Sequence, residues 1–373
     1  MLNYEFPPLG GGAGNATYYM LKEFSKYPNL EIDLVTSSVD KSRTEKFSKN
    51  ITIHFLDIGK KGNLHYQSNK DLLTYSWKTY NYSKELIKTK EFDVCHAFFG
   101  IPCGYIAMKL KDKYSLPYIV SLRGSDVPFY NKRFYLLDLL IFKRLSKKIW
   151  KNSKKIIALS HDLINIARRT SLNQEISVIY NGINTEEFKH DKKLLSNEKT
   201  INLLFVGRLI ERKGLIYLLQ SFFNLEKNYP NLRLRIAGDG PLLENYSSLV
   251  KQKGVDKKII FYGRLEHNKI NELYKKSHIF VLPSLNEALG NVTQEALASG
   301  LPIITTKTGA SELIKDNGIF IEKEDSKSLT DALQILIKDR KLREKMGKIS
   351  RQLAEKMSWE ECANKYLFIY KKI

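Results

Sequence analysis

No stretch of this chain approaches the roughly eighteen consecutive apolar residues that a membrane-crossing helix needs, and no basic-then-apolar leader marks it for export. The expectation is a cytoplasmic protein that does not span a bilayer. Cysteine is scarce, three in 373 residues, and the spacing is that of no disulfide framework, which suits a reducing compartment. Cys95, His96 and Cys103 lie close in sequence, but their spacing matches no zinc site, so no metal ligands and no bound cofactor are expected. Tandem repeats of solenoid period and low-complexity tracts are missing too, which removes repeat architectures and disordered scaffolds. Acidic residues are in deficit, 40 against 61 basic, for a formal charge of +21.

What is present is an alternation of short β-rich apolar runs with helical stretches. In the first half Leu34–Ser37, Thr52–Leu56, Asp93–Ala97, Tyr118–Leu122 and Lys155–Leu159 read as strands. In the second, Asn202–Val206, Arg233–Ala237, Ile259–Tyr262, Ile279–Leu282 and Pro302–Thr305 do so, with Gly318–Ile321 as a short edge. Strands at this rhythm predict an α/β fold of parallel, doubly wound sheets. The length is too great for one ordinary core and suits two domains, 1–180 and 181–357. Asn181–Gly182 is a turn signal between them.

The densest chemistry lies in Pro283–Pro302, PSLNEALGNVTQEALASGLP. Leu285–Asn291 reads as a loop and Val292–Ser299 as a helix with Val292, Ala296 and Leu297 on one buried face; Gly300 and Pro302 stop it. Glu287 therefore projects from the loop and Glu295, eight residues on, sits one turn inside the helix. The amides of roughly Ala288, Leu289, Gly290, Asn291 and Val292, with the helix dipole, make an anion site between two hydroxyl-accepting carboxylates. A ligand carrying both phosphate and vicinal hydroxyls suits it. Upstream, LLFVGRLIERKG (203–214) ends a buried strand at Gly207 and puts Arg208 and Lys213 beyond its carboxyl end, where open α/β sheets bind ligands. Two cations there suit a diphosphate, one as a planar fork and one as a point charge. Arg212 reads as a solvated charge.

The two segments together resemble the retaining family 4 glycosyltransferases, and the likeness runs over nearly the whole chain. It implies the GT-B fold, two Rossmann-like domains facing across a cleft, with the C-terminal helix 358–373 crossing back onto the first. It implies a sugar moved from a nucleoside-diphosphate sugar to a hydroxyl of a glycan or lipid-linked glycan acceptor, with retention and without a metal, as in cell-surface polysaccharide assembly. Carried over, Arg208 and Lys213 stabilise the leaving diphosphate, Glu287 orients the donor sugar and Glu295 holds the ribose. The loop with Arg264 and Leu265 lies near the base. A GT-B epimerase or phosphorylase is the alternative, though no pyridoxal-binding lysine region can be placed.

The first domain carries a second set of expectations. Phe6–Gly14 holds the family's Pro-Pro and glycine-rich loop, but only Met1–Glu5 precedes it, so the first strand reads as clipped. The loop is no dinucleotide fingerprint, because Asn15 or Thr17 falls where the third glycine belongs. In the family's terms Gly11 and Gly12 admit phosphates and acceptor, and His96, Arg123 and Asp126 face the cleft. Phe98 stands where relatives carry a second histidine, and Arg123 where they often carry one. His96 also reads as an ordinary structural histidine, and Asp126 as a helix cap.

The surplus of positive charge concentrates in Asn131–Lys155, NKRFYLLDLLIFKRLSKKIWKNSKK. Phe134, Leu137, Leu140, Ile141 and Leu145 fit an apolar stripe expected to pack inward, with Lys143, Arg144, Lys147, Lys148 and Lys151 around it. The pattern predicts a helix on an anionic leaflet, Trp150 near the headgroups, and hence a peripheral protein on the inner face of the cell membrane. A solvated basic face on a helix packed against its own sheet is the plain alternative. The charge would also suit nucleic acid, but no recognition motif accompanies it, so none is expected.

Overall fold

The structure is a computed structural model that describes all residues except 63, 65–66, 132–134 and 190–198, and the side chains of 267 and 268. Phe134, part of the expected stripe, lies outside the described residues. The chain forms two compact units, Met1–Gly182 with Trp359–Ile373, and Ile183–Ser358.

In the first unit the strands are β1 (Ile32–Ser38), β2 (Arg43–Ser48), β3 (Ile51–Asp57), β4 (Cys95–Phe98), β5 (Tyr118–Ser121), β6 (Lys155–Ala158) and β7 (Ser177–Val178). They pair in the orders β1-β3-β2 and β4-β5-β6-β7, all parallel but for β2 against β3. Leu2 joins the two ladders by bridging Val35 and Ala97 in parallel. Its N–H donates to His96 (2.9 Å), its carbonyl accepts from Phe98 (2.9 Å), and Val35 donates to the Met1 carbonyl (2.9 Å). Met1–Asn3 thus satisfies backbone groups on both sides, as a central strand must. A three-residue segment, Met1–Asn3, lies in the strand position between the two ladders. The Met1 ammonium donates to the Asp33 carbonyl at 2.7 Å.

The helix Trp359–Tyr370 belongs to this unit. Trp359 stacks on Tyr19 with centroids 5.5 Å apart, and Tyr27 donates to Asn364 at 2.8 Å. Burying Tyr366 and Cys362 on one face fixes the helix against the sheet.

The basic segment differs from expectation. Tyr135–Leu137 is α-helical, Asp138–Phe142 a π-turn and Lys143–Asn152 α-helical again. Trp150 is not near a surface at all; it is fully buried with Ile149 and Ser146, the inward face. Leu137, Leu140 and Ile141 do not pack inward either, but are exposed. The π-turn adds a residue to the rod, so an apolar face regular in sequence does not stay in line with the face that packs.

The second unit holds β8 (Ile201–Val206), β9 (Leu232–Ala237), β10 (Ile259–Phe261), β11 (Ile279–Leu282), β12 (Ile303–Thr306) and β13 (Gly318–Ile321). All are parallel, in the order β10-β9-β8-β11-β12-β13. Every residue of β8 and β11 is buried, as their almost wholly apolar runs require of strands covered on both faces. The order reverses between β8 and β11, and this switch point is where a doubly wound sheet opens a crevice at its carboxyl edge.

Candidate active site

The two segments singled out in the sequence leave the sheet at that crevice. Val206 is followed by Gly207, Arg208 and a 3-10 turn, Glu211–Lys213; Leu282 is followed by the loop that carries Glu287. Gly214, at φ 67°, makes their meeting possible. A Cβ there would stand 2.0 Å from the Pro283 carbonyl oxygen, so only glycine lets the turn lie against the second loop. Leu285 N–H then donates to the Arg212 carbonyl (2.8 Å), and the Arg212 guanidinium donates to the Asn286 carbonyl (3.0 Å). A third loop closes the other side, where Ala310 N–H donates to the Leu289 carbonyl (3.2 Å).

The result is a buried ion pair. Lys213 Nζ donates to Glu287 Oε1 at 2.5 Å, and Ser284 Oγ donates to the same oxygen at 2.7 Å. Both members are more than nine-tenths buried. Burial alone would push the Glu287 carboxyl up, but the Lys213 and Arg212 charges and the Lys213 and Ser284 hydrogen bonds outweigh it and hold the group below its ordinary range. Arg212 is therefore not a solvated bystander, as expected from sequence; it is half-buried, holds a backbone and helps keep Glu287 ionised. Arg208 is exposed beside the pair in sequence, and Gly207 is half-buried with the Lys213 stem 3.6 Å from its Cα position's missing Cβ.

Glu295 lies on the helix Asn291–Ala298. Gly290 opens that helix at φ 82°, without a side-chain cap, and Thr293 N–H donates to its carbonyl at 2.8 Å. Glycine at that position has no side chain with which to cap the first turn. Tyr274, fully buried, donates to Glu295 Oε2 (2.9 Å) and lies 3.0 Å from the Val292 carbonyl, so it ties the carboxylate to the helix start. Leu289 is buried, Ala288, Asn291 and Val292 half-buried. Arg264 is exposed and Leu265 half-buried, on the loop after β10. Sequence reasoning missed Ser284 and Tyr274. The serine was visible as the third residue before Glu287, but the tyrosine, 21 positions from Glu295, carried no local signal.

The first unit gathers His96, Arg123 and Asp126 at one end of β4 and β5. His96 Nδ1 shares a 2.6 Å hydrogen bond with Tyr370, and Nε2 one of 2.7 Å with Ser121. Burial, then the Arg123 and N-terminal charges, hold its pKa well below the ordinary value, so the ring is neutral. Arg123 is buried with its guanidinium 4.7 Å above the Phe98 ring and donates to Asn181 at 2.9 Å. Asp126 accepts from the amides of Gly100 (2.6 Å), Arg123 (2.9 Å) and Gly124 (2.9 Å), which closes the turn rather than capping a helix. Burial raises its pKa despite those bonds. Gly11 and Gly12 are exposed at the start of the helix Gly12–Phe24, and Gly11 N–H donates to Glu5 at 3.3 Å. Among the described residues no three His, Cys, Asp or Glu side chains form a group that could hold a metal, and no helix is long and apolar enough to cross a membrane.

Two family models take in most of the chain: "Glycosyltransferase Family 4" matches residues 10–187 and "Glycosyl transferases group 1" residues 186–353. The chain belongs to the family 4-like glycosyltransferases of the GT-B fold. An uncharacterised glycosyltransferase of Methanocaldococcus jannaschii is 27% identical over 372 residues, covering 99% of this chain and 96% of its own. The N-acetyl-alpha-D-glucosaminyl L-malate synthase of Bacillus anthracis is 26% identical, over 97% of this chain and 94% of its own. Among solved structures, sucrose-phosphate synthase from Thermosynechococcus elongatus superposes with a TM-score of 0.85 at 19% identity, covering 100% of this chain and 97% of its own. Anabaena HepE in complex with UDP-glucose gives 0.77 at 16%, over 100% and 98%. At such identities the structures speak for the fold. The enzyme is thus a GT-B glycosyltransferase.

Proposed function

We propose that this glycosyltransferase takes a sugar from a nucleoside-diphosphate sugar and passes it, with retention and without a metal ion, to a hydroxyl of a glycan or lipid-linked glycan acceptor in cell-surface polysaccharide assembly. The observation that carries the reading is the buried Lys213–Glu287 pair at the β8/β11 switch point. An ammonium has three N–H donors and spends one on Glu287, so Lys213 can serve a diphosphate oxygen as well. Arg208 supplies a second, exposed cation, and the helix entered at Gly290 a third source of positive potential. Such charge, aimed where the leaving diphosphate gathers negative charge, is the larger part of catalysis of this kind. It does the work that a divalent ion does elsewhere, which supports metal independence.

Glu287 orients the donor sugar. Its carboxylate is held ionised, and among the described residues both hydrogen bonds it accepts go to Oε1. A carboxylate drawn this strongly to a cation is a poor nucleophile, which favours orientation over a covalent glycosyl intermediate and supports acceptor attack from the side the leaving group departs. Glu295, fixed by Tyr274, is suited to accept from ribose hydroxyls, and the backbone around Arg264 and Leu265 to meet the base. The Anabaena neighbour of this fold is in complex with UDP-glucose, a donor of the class proposed. In the first unit Gly11 and Gly12 give backbone room for the acceptor. A Cβ added at Gly11 meets nothing within 4 Å, so packing does not call for glycine there. His96, Arg123 and Asp126 are held in place by their own hydrogen bonds.

The test is incubation with UDP-, GDP- and ADP-sugars in excess EDTA, followed by NMR of the released nucleotide and of the new anomeric proton. Transfer with the donor's configuration preserved is expected. Transfer with inversion, or only in the presence of a divalent ion, contradicts the reading.

A further inference from the structure

We infer that the helical rod 135–152 docks the first unit on an anionic membrane leaflet, residues 135–141 entering the acyl boundary and the basic residues behind them meeting headgroups. The first seven residues of the rod are apolar on every side but one. Leu136 is 71% exposed, Leu140 65% and Ile141 53%, and Tyr135, Leu137 and Leu139 are exposed with them. Only Asp138 is buried, where its carboxylate accepts from Phe129 N–H at 2.8 Å and ties the rod to the preceding loop. A helix apolar all round belongs in an apolar medium, and a contiguous exposed patch of this kind marks an interaction surface.

Charge names the partner. Directly after the apolar turns come Lys143, half-buried, and Arg144, Lys147, Lys148 and Lys151, all exposed. Arg168 and Arg169 join them from the end of the helix His161–Arg168. Arg169 places its guanidinium 4.7 Å above the Phe129 ring, Lys143 Nζ lies 6.0 Å from the same ring, and Tyr135 packs against it at 5.6 Å. Cations from two elements thus surround the foot of an apolar tip. This is the order of a bilayer surface met from water, charge outside and hydrocarbon within. A second copy of this chain, itself strongly basic, offers no matching layer of negative charge.

The inference deepens the proposed lipid-linked acceptor but rests on surface chemistry alone, so it can fail separately. The full chain is co-sedimented with vesicles of phosphatidylglycerol and phosphatidylcholine, and of phosphatidylcholine alone, at two salt concentrations. Transfer to a soluble acceptor is read in parallel. Binding to the anionic vesicles is expected. Leu136→Ser, Leu140→Ser and Ile141→Ser together should weaken it by on the order of a hundredfold at either salt. Lys143→Gln, Arg144→Gln, Lys147→Gln and Lys148→Gln together should weaken it by on the order of a hundredfold at low salt and less at high salt. Soluble turnover and the melting curve should be unchanged in both, since all seven side chains lie outside the core. No vesicle binding by the wild type, or binding indifferent to both sets, overturns the inference. So does a wild-type dimer in ultracentrifugation that the serine set turns to monomer while vesicle binding persists. Loss of transfer with vesicle binding intact would count against the catalytic reading instead.

Discussion

Replacing Lys213 by Met keeps most of the buried stem and deletes the charge. Glu287 is then left buried with Ser284 and the more distant Arg212. Breaking a buried pair from one side costs about 3–5 kcal/mol, because an uncompensated charge remains; the slight exposure of both side chains argues for about 3 kcal/mol. In a domain the size of the second unit, about 3 kcal/mol lowers Tm by ~6–12 °C. The sign of the pH dependence follows from the carboxyl. In the wild type its pKa lies below the ordinary value of 4.5, so its contribution is present above that value and is lost as pH falls through the lower, folded one. In Lys213→Met the largest opposing charge is gone and burial drives the pKa up. Protonation then relieves the variant as pH falls, so its deficit is largest near neutrality and shrinks toward pH 5. The three tryptophans, 77, 150 and 359, all lie in the first unit. Tryptophan fluorescence should therefore melt as in the wild type while calorimetry shows the other transition moved. A deficit that is absent, or constant from pH 7 to pH 5, would refute the argument.

Other consequences are separable. Arg208→Ala should lower turnover by about a hundredfold, by analogy with loss of a transition-state donor, without a change in melting; steady-state kinetics at saturating donor checks it. Tyr274→Phe removes the hydroxyl that fixes Glu295 and should weaken nucleotide affinity by about tenfold to a hundredfold, in line with one hydrogen bond to a charged group, as read by calorimetry. Burial works against ionisation of Asp33, but His54 and Lys90 hold its pKa down at about 2. The first unit should thus lose stability as pH falls from about 4 toward 2, and Asp33→Asn should flatten that part of the fluorescence melting profile.

The candidate site at the β8/β11 switch point was legible because its chemistry is local. A strand, a glycine and two cations, then a loop, a glutamate and a helix start, are each written in a dozen residues. What brings them together is not local. That β8 and β11 are neighbours follows from the winding of six strands, and sequence spacing says nothing of it. Tyr274 and Arg212 escaped for the same reason, since each acts on a partner in another segment. The edge strand β2, RTEKFS, was invisible because it is mostly polar and exposed, and only pairing with β3 makes it a strand. That Met1–Asn3 bonds to strands on both sides was not legible, because three residues give no periodicity. The stripe over 137–145 was misjudged because helical periodicity assumes an uninterrupted α-helix, and the π-turn at Asp138–Phe142 breaks it.

The most direct measurement is calorimetric binding of UDP, GDP and ADP to the wild type, Glu295→Ala and Glu287→Ala, with turnover read on the same preparations. One nucleotide should bind the wild type, at least tenfold more weakly to Glu295→Ala because a lost ribose contact weakens ground and transition states alike. Glu287→Ala should bind it nearly as well as the wild type yet transfer sugar at about one hundredth of the rate or less. If none of the three binds, or both variants lose affinity equally, the site at the β8/β11 switch point is not the donor site described here.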